Sequence, residues 1–276
     1  MLINSFVNLI NHEIINKNSI ENMITMLRKI TSRAVKNDEF IESCINKILN
    51  NVEKYNKTST YLPIYIDENN KWRMNLFLWN PKSENQPHLH NTWSVSGIVY
   101  NKMFIKIYKN DDHKLIVSHH IYAQEGDTGY LIPPCIHALG NPDENNYSIT
   151  LHIFSDSEQK NDRNGDTVWL GDNDPRDGIN HYALSIRGLI ICNLLIDRIK
   201  NTSKFSILER IFKLGTPAIK LNSYKKMINI DPMKSKKYRL EIESSLDGEL
   251  KQKLIKINNK IYGIYPIDFK LQGGGK

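Results

Sequence analysis

Residues 72–99 read WRMNLFLWNPKSENQPHLHNTWSVSGIV, and this stretch decides the fold. Two runs of apolar, aromatic and β-branched residues, 72–79 and 93–99, are separated by residues 80–85, which are rich in turn formers, and by the triplet His88-Leu89-His90. Such runs read as strands. On a strand, residues two apart point to the same face, so His88 and His90 can both present an imidazole nitrogen to one metal ion. The pair alone is a weak signal, since solvated or core-satisfied histidines are commoner than ligands.

Outward from this stretch the same pattern continues. Short β-type runs are expected at 62–66, 72–79, 93–99, 103–108, 114–122, 129–132 and 148–154, with turn chemistry between them at 67–70, 100–102, 110–112, 125–127 and 141–146. Many short strands at this spacing argue for an antiparallel sandwich or barrel. Asn101 suits the turn at 100–102 because Asn tolerates left-handed backbone.

Upstream, residues 3–56 read as helices. Ile20, Met23, Ile24, Leu27 and Ile30 recur three and four apart behind Ser19 as N-cap, and a further helix begins at Asp38 as N-cap. Downstream, residues 155–177 are polar and read as a loop or linker. A wide apolar stripe of Tyr182, Ile186, Leu189, Ile190, Leu194 and Ile199 then marks a helix, with a shorter one near 207–212. Two further strands are expected at 238–242 and 254–265, the second a hairpin turning at Asn258-Asn259. The resulting division is 1–58, N-terminal helices packed on a barrel; 59–165, the barrel; and 178–270, a smaller α+β unit.

The chain has 276 residues, three cysteines (Cys44, Cys135, Cys192) and a formal charge of +7. Three widely spaced thiols make no disulfide framework and suit a reducing compartment. With no signal-peptide pattern at the start and a longest apolar run of only 188–196, a cytoplasmic protein with no membrane partner is expected. Residues 197–276 hold 18 Lys and Arg against 8 Asp and Glu (+10), and residues 1–196 hold 19 against 22 (−3). No arginine cluster or interleaved aromatic platform accompanies that basic third, so it reads as a solvated Lys-rich face and no nucleic-acid partner is expected.

The order of blocks around the histidines resembles a known family. Asn75-Leu76-Phe77-Leu78-Trp79, then His88-Leu89-His90-Asn91-Thr92-Trp93-Ser94-Val95, then His137-x-x-x-Asn141, then Ser148-Ile149-Thr150-Leu151-His152-Ile153-Phe154 look like the cysteine dioxygenase family of cupins, including its bacterial 3-mercaptopropionate dioxygenase branch. The resemblance covers about residues 60–165. It implies a cupin double-stranded β-helix, or jelly-roll barrel, in a mainly β protein with flanking helices. It also implies Fe(II) on His88, His90 and His137, and oxidation of a small thiol by O2 to a sulfinic acid by a monomer. Many cupins add a glutamate four or five residues after the second histidine. Ser94 and Val95 stand there, which leaves three neutral ligands.

The family resemblance also assigns roles around the metal. His152 is implied as the histidine next to the ligands, on a strand face that runs Thr150, His152, Phe154, and Tyr61 matches a family tyrosine; both are expected to be catalytic. Arg163, Arg73 and Trp93 are the expected substrate contacts. Three departures are visible: Phe154 stands where the family has a tyrosine, Pro63 where cysteine dioxygenases have an arginine, and Ser94 where a cysteine would form a thioether crosslink. Cys135, two residues before His137, reads as a buried inert thiol. Two other readings stay open: an iron-dependent cupin oxygenase acting on a modified or larger biosynthetic substrate, and a non-catalytic metal- or ligand-binding cupin with a basic interaction domain.

Overall fold

The computed structural model describes residues 1–16, 19–55, 62–111, 114–155, 167–170 and 183–262. Tyr61, Arg163, His113, His181 and the far end of the expected hairpin lie outside them. The apolar alternation of the central region forms strands β1 (Leu62–Asp67), β2 (Trp72–Trp79), β3 (His88–His90), β4 (Ser94–Tyr100), β5 (Lys102–Asp111), β6 (Lys114–Gln124), β7 (Thr128–Leu131), β8 (Ile136–Gly140), β9 (Ser148–Ser155) and β10 (Thr167–Trp169). They make two five-stranded antiparallel sheets, ordered β1-β2-β9-β4-β7 and β10-β3-β8-β5-β6. From β2 onward the chain passes repeatedly between the two sheets, which is the double-stranded β-helix of a cupin barrel.

The centre of the first sheet is buried on both faces, so β9 is buried along seven of its eight residues. Its inner face carries Arg73, Asn75 and Phe77 of β2, Thr150, His152 and Phe154 of β9, and Ser94 and Ser96 of β4, all of which but Thr150 line the cavity described below. The outer face lies under helices α1 (Ile3–Ile15), α2 (Ile20–Val35), α3 (Asp38–Asn51) and α4 (Leu184–Leu195). Of these, α2 packs on β4 and β7, and α3 and α4 pack on β1. The approach of α2 is close because β4 carries Gly97 there: a Cβ on it would lie 2.8 Å from Val35 Cγ1 and 3.3 Å from Thr31 Cγ2.

The expected caps and turns can be compared one by one. Ser19 caps α2, its hydroxyl accepting from the Asn22 N–H at 3.2 Å. Asn101 takes the left-handed turn at φ 65°. The cap of α3 is Asn37 rather than Asp38: Asn37 Oδ1 accepts from the Phe40 N–H at 2.9 Å, and Asp38 becomes the first helical residue, where its charge still favours the helix N-terminus.

The chain divides into two compact units between Lys200 and Asn201, rather than at residue 178, because α4 packs with α3 and β1 of the first unit. The second unit is helical throughout its described residues: α5 (Asn201–Leu214), α6 (Pro217–Ile230), α7 (Pro232–Ser235), α8 (Arg239–Ser245) and α9 (Gly248–Tyr262). The strands expected at 238–242 and 254–265, and with them the α+β description, are therefore corrected. Leu254 and Asn258 are buried while Ile255 is exposed, so the burial repeats at the four-residue spacing of a helix stripe and not at the period of a strand. Among the described residues no helix is long and apolar enough to cross a membrane.

Candidate metal centre

The three histidines come from two neighbouring strands. β3 places His88 and His90 on one face, and the antiparallel register of β3 with β8 sets His88 directly opposite His137. A single potential ligand atom from each lies within 4.8 Å of the other two, a cluster able to hold one metal ion. Ring centroids are 4.3 Å apart for His88 and His137, 5.0 Å for His88 and His90, and 5.2 Å for His90 and His137.

Hydrogen bonds set which nitrogen of each ring faces inward. His88 Nδ1–H donates to the Gln86 carbonyl at 2.9 Å, and His137 Nδ1–H donates to the Cys135 carbonyl at 3.0 Å. A carbonyl only accepts, so Nδ1 carries the proton and Nε2 keeps its lone pair, the tautomer a ligand needs. His90 Nδ1 is paired with Thr167 Oγ1 at 3.1 Å, in register across β10 and β3. Burial disfavours the charged form in every case. It holds His90 down at about 3 and His137 at about 4, and it lowers His88 well below the usual value, with the neighbouring imidazoles adding to the effect on His88 and His90. The rings are thus neutral, as metal ligands must be. The donor set, three imidazole nitrogens of which those of His88 and His137 have tautomers fixed by main-chain carbonyls, fits a divalent first-row metal, and geometry alone does not choose among such metals.

His152 sits on the facing sheet. Trp79 Nε1–H donates to Thr150 Oγ1 at 2.9 Å, Thr150 Oγ1 lies 2.8 Å from His152 Nε2, and His152 Nδ1 lies 2.9 Å from Ser96 Oγ. Because Thr150 already accepts from Trp79, its own proton is available to His152 Nε2, and Nδ1–H then donates to Ser96, so both nitrogens of His152 are satisfied. Desolvation keeps this ring neutral too, at about 3. Phe154 stacks on His152 at 5.5 Å and meets His90 edge-on at 5.4 Å, so it is an apolar wall between the two histidines.

These residues enclose a cavity with about 90 Å³ of space, enough for an ion and a ligand of a few non-hydrogen atoms. Among the described residues its lining contains no Asp or Glu. Of the substrate contacts expected from sequence, Arg73 lines it, with its guanidinium carbon 5.5 Å from the Phe154 ring centroid. Trp93 is buried but is not among the described lining residues. Cys135 contributes its carbonyl to His137, its thiol is pushed up by burial, and it is not among the described lining residues either.

Four contributors escaped the sequence reading. Thr167 and Trp169 belong to β10, inside the stretch read as a loop, where the β-branched and aromatic triplet Thr-Val-Trp was the available signal. Ser96 and Asn75 stood in quoted or expected strands without a role; strand periodicity puts Asn75 on the face of Phe77 and Ser96 on that of Ser94.

No family model matches the chain, and no curated protein does. Among solved structures, vicilin from tomato (Solanum lycopersicum) is 20% identical over 33% of this chain and 24% of its own, with a TM-score of 0.29. Bacillus subtilis oxalate decarboxylase, described as having Mn(II) centres, is 22% identical over 36% and 24%, with a TM-score of 0.29. A DMSP lyase is 15% identical over 36% and 44%, with a TM-score of 0.28. The aligned segment spans less than half the length of each of these proteins.

Proposed function

We propose that the barrel is a mononuclear iron(II) dioxygenase that converts a small thiol and O2 into a sulfinic acid, RSH + O2 → RSO2H. The observation that carries this reading is the all-neutral ligand set in a small cavity without a carboxylate on its described wall. Three imidazoles leave the charge of a dication uncompensated, so the site favours an anionic ligand such as a thiolate. A ferrous ion bound by His88, His90 and His137 would supply the oxygen activation and lower the pKa of a thiol beside it.

The chain's own groups do the rest. Gln86 and Cys135 hold two of the ligand rings through their carbonyls, Phe154 and Phe77 exclude water, and the His152–Ser96–Thr150 chain holds a neutral imidazole on the cavity wall.

Anaerobic iron loading followed by an oxygen-electrode screen of thiols tests the reading. The protein is expected to hold about one iron per chain and to consume O2 with at least one small thiol. His88→Ala and His137→Ala should each lose both properties. Oxygen uptake retained in either variant would overturn the assignment, and iron binding with no uptake across the panel would favour the non-catalytic cupin.

A further inference from the structure

Asn75 is 0% exposed, and neither its Nδ2 nor its Oδ1 has a hydrogen-bond partner among the described residues. It lines the metal cavity, opposite His152 in the β2–β9 register. A buried amide without partners is costly, and an apolar residue of the same shape would avoid the cost, so the free fold gives no reason for Asn at this position. On the other sheet Trp169, in register with His88, lines the same cavity and has an equally idle buried Nε1–H.

From these groups we infer that Asn75 is the specificity-determining residue of the cavity and selects a ligand whose far end is a carboxamide. The reason lies in the balance of donors and acceptors. An Asn side chain offers N–H beside C=O, and another amide meets both at once, N–H to O=C in each direction. A carboxylate can accept from Nδ2 but sets its own oxygens against Oδ1, which stays unmet and repelled. An alkyl group meets neither. Trp169 adds a donor only, which suits a further lone pair on the ligand. The guanidinium of Arg73 lies against the Phe154 ring. This inference rests on the thiol-oxygenase reading for the other end of the ligand, the sulfur; the amide recognition itself belongs to Asn75.

The test is anaerobic calorimetric titration of the iron-loaded full chain with 3-mercaptopropionamide, 3-mercaptopropionate and propanethiol, together with thiol-free propanamide and propanoate. In the unmodified protein the amide thiol is expected to bind at least about tenfold more tightly than the other two thiols, the effect of one retained hydrogen-bonded pair. In Asn75→Leu the amide should bind no better than propanethiol, with iron still at about one per chain. The ligand-free variant should also melt higher, by about 2–4 °C, because an unmet polar group has been removed. A purely structural Asn75 would instead give a lower melting temperature, and that result overturns the inference. So does equal binding of the amide, acid and alkyl thiols in the unmodified protein, which would mean that ordered water alone satisfies Asn75; this ranking decides the matter even if Asn75→Leu does not fold. The two readings fail separately. If propanamide outranks propanoate through Asn75 but no thiol outranks its thiol-free analogue, the amide site stands and the thiol reading falls. If thiols bind without amide preference, the reverse holds.

Discussion

Each histidine at the centre is held by a partner that fixes its role. Main-chain carbonyls bind the Nδ1–H of His88 and His137, and hydroxyls bracket His152. The weakest point of the second group is Ser96, since it alone partners His152 Nδ1. Ser96→Ala should leave that buried N–H unmet and lower stability by about 1–3 kcal/mol, with iron stoichiometry unchanged, because the hydrogen bond of Ser96 goes to His152 and not to one of the three ligand histidines. Urea unfolding beside an iron assay reads both quantities, and an equal loss of iron would place Ser96 nearer the metal than its hydrogen bond implies. Phe154 carries the same lesson in the opposite sense. Without a hydroxyl it adds no hydrogen bond to this network, and it acts by shape, stacked on His152 and edge-on to His90.

At the scale of elements, the site depends on a sheet pressed between the cavity and the helices. Gly97 is where that sandwich is thinnest, with Val35 and Thr31 of α2 against it. Gly97→Ala should force α2 outward and cost about 1–3 kcal/mol through overpacking. The double variant with Val35→Ala should recover much of that loss, since removing the crowding methyls makes room for the new one. Chemical denaturation of the two single variants and the double variant measures the coupling, and strict additivity would contradict the packing described. β10 shows the converse dependence, in which a strand of three residues brings Thr167 to His90 and Trp169 to His88 purely by its register with β3.

For the molecule as a whole, four desolvated neutral histidines, three of them buried and His90 half-buried, make stability depend on pH. Their folded values lie below the unfolded value of about 6.5: His90 and His152 at about 3, His137 at about 4, and His88 shifted in the same direction. Above pH 6.5 neither state binds these protons, and no penalty exists. As pH falls below 6.5 the unfolded chain takes up protons that the native one refuses, so metal-free protein should lose roughly 1.4 kcal/mol per histidine per pH unit until the folded values are reached. Urea midpoints of metal-free protein at pH 7.5, 6.5 and 5.5 should therefore be flat at first and then drop, and His90→Gln should make the drop shallower by one proton. A midpoint that does not move between pH 6.5 and 5.5 would contradict the burial of these rings in their neutral form.

The amino-acid pattern by itself determined most of the barrel strands, the helical N-terminus with its Ser19 cap, and the placing of His88 and His90 on one strand face, because strand and helix periods are local properties; His137 joined them only through the family resemblance and, in the structure, through the register of β3 with β8. It misjudged the C-terminal unit, since a short apolar run such as that around Leu254 fits both periods until burial shows which residues face inward. Only the tertiary structure decided which side chains surround the metal cavity. Thr167 and Trp169 arrive from a stretch that looks like a loop, and Asn75 is one polar residue in an apolar strand. The importance of each comes from register across strands distant in sequence and from having, or lacking, a partner when water is excluded; neither property is written in the neighbouring residues.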